Sequence, residues 1–242
     1  MPAIAPHSLL ESFHQSFHQS FPQSFPQSFP LAVTAAAAAI FVAASADAGF
    51  IYSSASRSIS LSSPAGVSGA SSDALSDFFE FRSYSTPMVS GGVQQASTLG
   101  VDSLSFGAFA QLFSSSTAFA GPFGGTSASS VVFSVDSNLI AGLNVGTAIQ
   151  QSGAAASSSV SVVLRDLTSN IVIYSTSTTA SDSFELELIE GRNYQFKVAG
   201  AASVNSGAGS SFMNYSVSIT VVPAPGVLAT FGLAATVRRR RR

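Results

Sequence analysis

No cysteine and no tryptophan occur in the 242 residues, and charged side chains make up only 9% of them. Without cysteine there is no disulfide framework, so a domain built from this chain rests on its apolar core and its hydrogen bonds. The three histidines, His7, His14 and His18, all fall within Met1 to Pro30. Beyond Pro30 there is neither thiol nor imidazole, which closes the usual Ser/His/Asp and Cys/His nucleophilic designs. The same gap removes the ligands of structural zinc. What remains is rich in Ser, Gly, Ala and Thr between apolar positions, a composition suited to half-exposed β-strands.

The two ends differ from the middle. Residues Met1 to Pro30 repeat a tetrapeptide, SFHQ at Ser12 and Ser16 and SFPQ at Ser20 and Ser24, with no hydrophobic period that could build a core. This stretch reads either as an extended leader or as upstream sequence from a start codon set too early. Leu31 to Ala46 is an apolar, alanine-rich run, and Ala46-Asp47-Ala48 places small residues at the two positions that signal peptidase inspects, so cleavage is expected before Gly49. At the other end Gly226 to Val237 carries no charge and is followed by Arg238, Arg239, Arg240, Arg241 and Arg242. As a helix that run spans about 18 Å, short for a bilayer core of about 30 Å. It reads as a weak, temporary anchor whose arginines stay cytoplasmic, leaving everything before Val221 on the far side of the membrane. Pro223 and Pro225 hold the preceding segment extended, the form in which a protease grips a peptide.

Val222-Pro223-Ala224-Pro225, an apolar span and a terminal arginine cluster together resemble the PEP-CTERM sorting signal. The family motif carries Glu between the prolines, where this chain has Ala224. The resemblance covers about the last twenty residues and implies a transient stay in the inner membrane of a Gram-negative bacterium. Cleavage by an exosortase and passage to the cell surface or exopolysaccharide matrix would follow. The plainer alternative is an uncleaved C-terminal anchor.

Removing Glu11, Asp47 and the arginine pentad leaves five basic and ten acidic residues, a net charge of −5, which argues against nucleic acid as a partner. This middle portion, residues 49–221, is expected to form one secreted domain. Met213, Tyr215, Val217, Ile219 and Val221 alternate with Asn214, Ser216, Ser218 and Thr220, the period of a half-buried strand. Phe184 to Leu188 and Tyr194 to Val198 flank Glu190-Gly191-Arg192. With Leu186 opposite Phe196 and Glu185 opposite Lys197, both faces match, and the pattern predicts an antiparallel hairpin. A second hairpin is predicted from Val160 to Leu167 and Ile171 to Ser175, turning at Thr168-Ser169-Asn170, and a strand from Val131 to Val135 ending at Asp136-Ser137-Asn138. Further strands are expected over Phe50 to Leu61, Phe78 to Tyr84 and Ser103 to Phe113, with a loop from Ala120 to Gly125 around Pro122. Many short strands without amphipathic helices predict an all-β fold, an antiparallel β-sandwich of jelly-roll type. The rival is fibre-like low complexity over Gly49 to Ser130.

No catalytic, cofactor or metal residues stand out. Calcium is the one metal suited to the carboxylates and carbonyls present, with Asp136 and Asn138, or Asp182 and Glu190, as the oxygen ligands, but neither pair has calcium-loop spacing. Glu185 and Glu187 lie on one strand face about 6.8 Å apart, within glycosidase range, yet alternating Glu is the ordinary pattern of a solvated face. The chain therefore reads as a non-enzymatic surface or matrix protein of structural or adhesive role. The alternative is a carbohydrate-binding module gripping exopolysaccharide through acids and Tyr52, Tyr84 or Tyr174.

Overall fold

The computed structural model describes residues 49–222. Within them run twelve strands and no helix: β1 (Phe50–Ser63), β2 (Gly66–Ser72), β3 (Phe78–Ser85), β4 (Val89–Leu99), β5 (Ser103–Ser114), β6 (Ala120–Val135), β7 (Leu139–Ser152), β8 (Ala156–Asp166), β9 (Ile171–Thr176), β10 (Ala180–Leu188), β11 (Asn193–Ser206) and β12 (Gly209–Val221). They form two six-stranded antiparallel sheets, sheet A in the order β2-β1-β6-β11-β8-β9 and sheet B in the order β10-β7-β12-β5-β4-β3. The fold is a β-sandwich. β11 lies across β12 and β5, so the central strands of each sheet cover those of the other.

The alternation that predicts strands also builds the core. β6 buries Val131, Phe133 and Val135 and turns Ser130, Val132 and Ser134 outward; β12 buries Met213, Tyr215, Val217 and Ile219. Within sheet A, Phe133 meets Phe50 edge-on at 5.2 Å and stacks on Tyr194 at 5.6 Å, and Phe106 of sheet B meets Phe196 of sheet A at 5.6 Å, joining the layers. Each fully buried aromatic removes enough apolar surface to be worth a few kcal/mol.

The β8–β9 hairpin forms as its sequence predicts. Asn170 takes the left-handed conformation at φ 57°, which asparagine tolerates, and Asp166 Oδ1 accepts the N–H groups of Thr168 and Ser169 at 2.8 and 3.0 Å. The strands expected over Phe50 to Leu61, Phe78 to Tyr84, Ser103 to Phe113, Val131 to Val135 and Met213 to Val221 are present.

Two expectations are overturned. Ala120 to Gly125 is the start of β6, not a loop: Gly124 and Gly125 pair with Ser203 and Ala202. Pro122 falls beside the register irregularity between Val204 and Ser206, where a missing N–H costs the ladder least. β10 and β11 do not form a hairpin either. β10 pairs with β7 in sheet B, with Glu185 opposite Gly142, whereas β11 lies between β6 and β8 in sheet A, with Lys197 opposite Ser130 and Val163. The connection is an arch between layers, pinned where Ile189 N donates to Tyr194 Oη at 2.8 Å. The reason lies in burial. β11 hides Tyr194, Phe196 and Val198 and gains a partner on each side, while β10 hides only Leu188 and suits an edge.

Gly200 of β11 faces sheet B, where an added Cβ would lie 2.6 Å from Met213 Sδ. Gly200→Val is expected to lower stability by about 1–3 kcal/mol through overpacking, and Phe133→Ala by about 3–5 kcal/mol. Urea unfolding checks both; an unshifted midpoint for Phe133→Ala would mean that the two sheets do not depend on this core.

Candidate functional site

Of the residues the sequence singles out for export and sorting, Gly49 and Val222 are described. Ala46, Ala48, Pro223, Ala224, Pro225, the span from Gly226 to Val237 and Arg238 to Arg242 lie outside the described residues, as does the repeat in Met1 to Pro30. Gly49 and Val222 come to the same end of the sandwich. Phe50 N donates to Val101 O at 2.7 Å and Val221 N to Asp102 O at 2.8 Å, so one turn between β4 and β5 holds the first strand and the last. Gly49 N donates to Asp136 Oδ1 at 3.0 Å, and a side chain at Gly49 would run into the Val101 carbonyl 2.6 Å away. Val222 N donates to Ile140 O at 2.8 Å as the last bond beyond β12. Tyr52 fixes the turn by donating to Gly100 O at 2.6 Å and to Ser103 O, and burial pushes its phenol well above the usual range.

The oxygen-ligand candidates are occupied by the fold. Asn138 Oδ1 accepts Glu190 N at 2.8 Å, and Asp136 is taken by Gly49. Asp182 accepts the Tyr174 hydroxyl at 2.5 Å and lies about 20 Å of strand before Leu188. Glu190 follows in the arch, so the pair is not brought together. Among the described residues no three His, Cys, Asp or Glu side chains gather as a metal group would. Glu185 and Glu187 are exposed on the edge strand β10, away from Lys197. Of the tyrosines considered as sugar platforms, Tyr52 is spent on its turn, Tyr84 packs on Phe123 at 6.0 Å, and Tyr174 packs on Phe184 at 5.6 Å.

Sequence reasoning missed a polar seam between the sheets. Arg57 is 1% exposed, at the inward parity of β1 between Ala55 and Ile59. Its guanidinium donates to the carbonyls of Ala74 and Ser76 and to Ser97 Oγ, and lies 5.6 Å over the Phe78 ring. Burial lowers its pKa, and Asp77 and Asp73 work against that shift. Beside it Gln95 Nε2 donates to Ala128 O at 2.9 Å and to Ser129 Oγ, and Ser127 Oγ meets Tyr215 Oη at 2.7 Å. The signal was legible in part: an arginine at a core parity of an alternating strand has to find acceptors inside.

Asp166 is the other buried charge, 3% exposed, with Arg192 Nη1 donating to its Oδ2 at 2.8 Å. Burial alone would raise this carboxyl; hydrogen bonds from Ser169, Arg192 and Thr168 outweigh it and hold the pKa at about 2.

The surface offers one open depression of note, about 280 Å³, on the outer face of sheet A. Ser56, Ser58, Ser130, Ser161 and Lys197 line it together with Ala128, Val163 and Ala199. No helix among the described residues is long and apolar enough to cross a membrane. No protein-family model and no curated protein matches the sequence.

Two titrations follow. Because the Asp166 pKa is depressed from 3.8, its contribution is present above about pH 4 and is lost as pH falls through 2. Asp166→Asn should cost about 2 kcal/mol at neutral pH, and the gap to the parent chain should close toward pH 2 in urea titrations. At the alkaline end Tyr174 and Tyr215 are pushed up to about 12 from 10, both mainly by burial. Raised pKa values give stability that is full below pH 10 and lost as pH rises through 12. Tyrosinate absorbance should rise together with unfolding, and ionisation of all the tyrosines near pH 10 in a folded protein would contradict the burial.

Proposed function

We propose that this chain is an exported bacterial protein, carried out by its N-terminal segment, held briefly in the inner membrane by its C-terminal run, and passed by exosortase-type cleavage to the cell surface or extracellular matrix. There the sandwich serves a structural or adhesive role. The observation that carries this reading is where the described strands lie in the chain. β1 begins at Phe50, just after Ala46-Asp47-Ala48, and β12 with its last bond at Val222 ends just before Pro223-Ala224-Pro225. Cuts at the two sequence signals would therefore leave every strand of the described residues in place.

The composition of the domain agrees with a non-enzymatic role. Residues 49–222 hold neither His nor Cys, and their most evident acid pair lies on a solvated strand edge. Because Gly49 and Val222 share one pole, the tethered intermediate would present its opposite pole and both outer faces away from the membrane. A carbohydrate-binding role is the second reading, and the serine-lined depression on sheet A favours it.

The intact mass of the protein recovered from the surface or medium of the producing bacterium tests the sorting. The expected species begins near Gly49 and lacks Gly226 to Arg242. A species in the inner membrane that keeps the apolar run and the arginines would make this an anchored domain and refute exosortase processing.

A further inference from the structure

Residues 49–222 contain Arg57, Arg82, Arg165, Arg192 and Lys197 as their cations. Arg57 is buried, Arg82 pairs with Glu80 at 2.7 Å, and Arg192 pairs with Asp166 at 2.8 Å. Arg165 and Lys197 alone have no carboxylate partner among the described residues, and both are exposed on the outer face of sheet A. The register makes them diagonal neighbours: Lys197 lies opposite Val163, and Gln195 opposite Arg165. Their two rows read Ser56, Ser130, Lys197, Val163, Ser175 and Ser54, Val132, Gln195, Arg165, Val172. Neither row holds an acid or an aromatic ring. In a domain of net charge −5, an acid-free patch around both unpaired cations is a selective feature of the surface.

We infer that this face of sheet A binds a carboxylate-bearing polysaccharide, with Lys197 in the depression and Arg165 one row beyond its lining taking uronate carboxylates, and Ser56, Ser130 and Ser161 exchanging hydrogen bonds with sugar hydroxyls. The chemistry of the lining selects the occupant. A single-stranded nucleic acid needs rings to stack on, and these rows have none. A lipid surface needs large apolar side chains to insert, and no apolar side chain larger than valine lines this depression. The trough crosses β1, β6, β11 and β8, about 14 Å between the outer strands, room for a short run of sugar units. Arg165 presents a planar fork that matches a carboxylate, and Lys197 a point charge amid hydroxyls.

This inference rests on the carbohydrate-binding reading and specifies its ligand. The test uses the full chain in detergent micelles and two probes, oligogalacturonate and neutral dextran, read by isothermal titration. The Arg238 to Arg242 pentad is common to every variant, so ratios between variants report on sheet A. Oligogalacturonate should bind and weaken as salt is raised. Lys197→Gln combined with Arg165→Gln should reduce affinity about tenfold or more, Lys197→Arg should retain it, and Arg82→Gln should leave it unchanged. Equal binding by the double variant, with its thermal unfolding unaltered, overturns this site. Binding of dextran without oligogalacturonate overturns it too but leaves the carbohydrate-binding reading standing; binding of neither probe overturns both.

Discussion

The fold depends on the two-sided pairing of its last strands. β11 fills the slot between β6 and β8, and β12 fills the slot between β5 and β7, so each sheet is two separate pieces until the final strands arrive. With no disulfide to staple those pieces, the core closes only once Gly209 to Val221 is in place. Non-local closure of this kind is entropically slow, because long loops are ordered before their contacts form. Under the proposed route, a membrane tether directly after β12 has a physical use: it keeps the chain end near while sheet B is completed, and release after Val222 then frees a closed sandwich.

The polar seam adds register to that closure. A sandwich held by apolar side chains alone tolerates slippage, since a shift of two residues preserves the buried face. Arg57, Ser97, Gln95, Ser129, Ser127 and Tyr215 come from four strands in both sheets, and the hydrogen bonds among them form in one alignment. The cost of taking Arg57 from water is offset by carbonyls from the connection between β2 and β3, which ties that connection to the interior.

The sequence disclosed faces better than partners. Alternation in β12 named the buried side chains Met213, Tyr215, Val217 and Ile219 correctly because period two depends only on the strand itself. The Asp166 turn was legible because its chemistry is local. The proposed pairing of Phe184–Leu188 with Tyr194–Val198 failed because two amphipathic strands around a short connection match each other equally well as a hairpin or as an arch. Only the rest of the chain decides which: β11 is wanted in the middle of sheet A, and β10 caps the edge beside β7. The same error hid the cationic face. Glu185 seemed to neutralise Lys197, and the true register puts Ser130 and Val163 there instead.

Charge is distributed by position in the sandwich. Edge strands β3 and β10 of sheet B carry Glu80, Arg82, Asp182, Glu185 and Glu187, and edge strands β2 and β9 of sheet A are short, seven and six residues. Charges and short length are the two common devices that stop sheets from adding strands edge to edge. Asp102, Asp136 and Glu190 sit beyond strand ends at the pole shared by Gly49 and Val222, while the outer face of sheet A between its edges carries mostly Ser, Thr, Gln and small apolar residues. Under the proposed matrix role this division would have a use, with edges that refuse further pairing and faces free for specific contact. Lys197 and Arg165 interrupt the neutral face of sheet A at one place, and the inferred recognition of a polyanionic sugar would depend on that interruption.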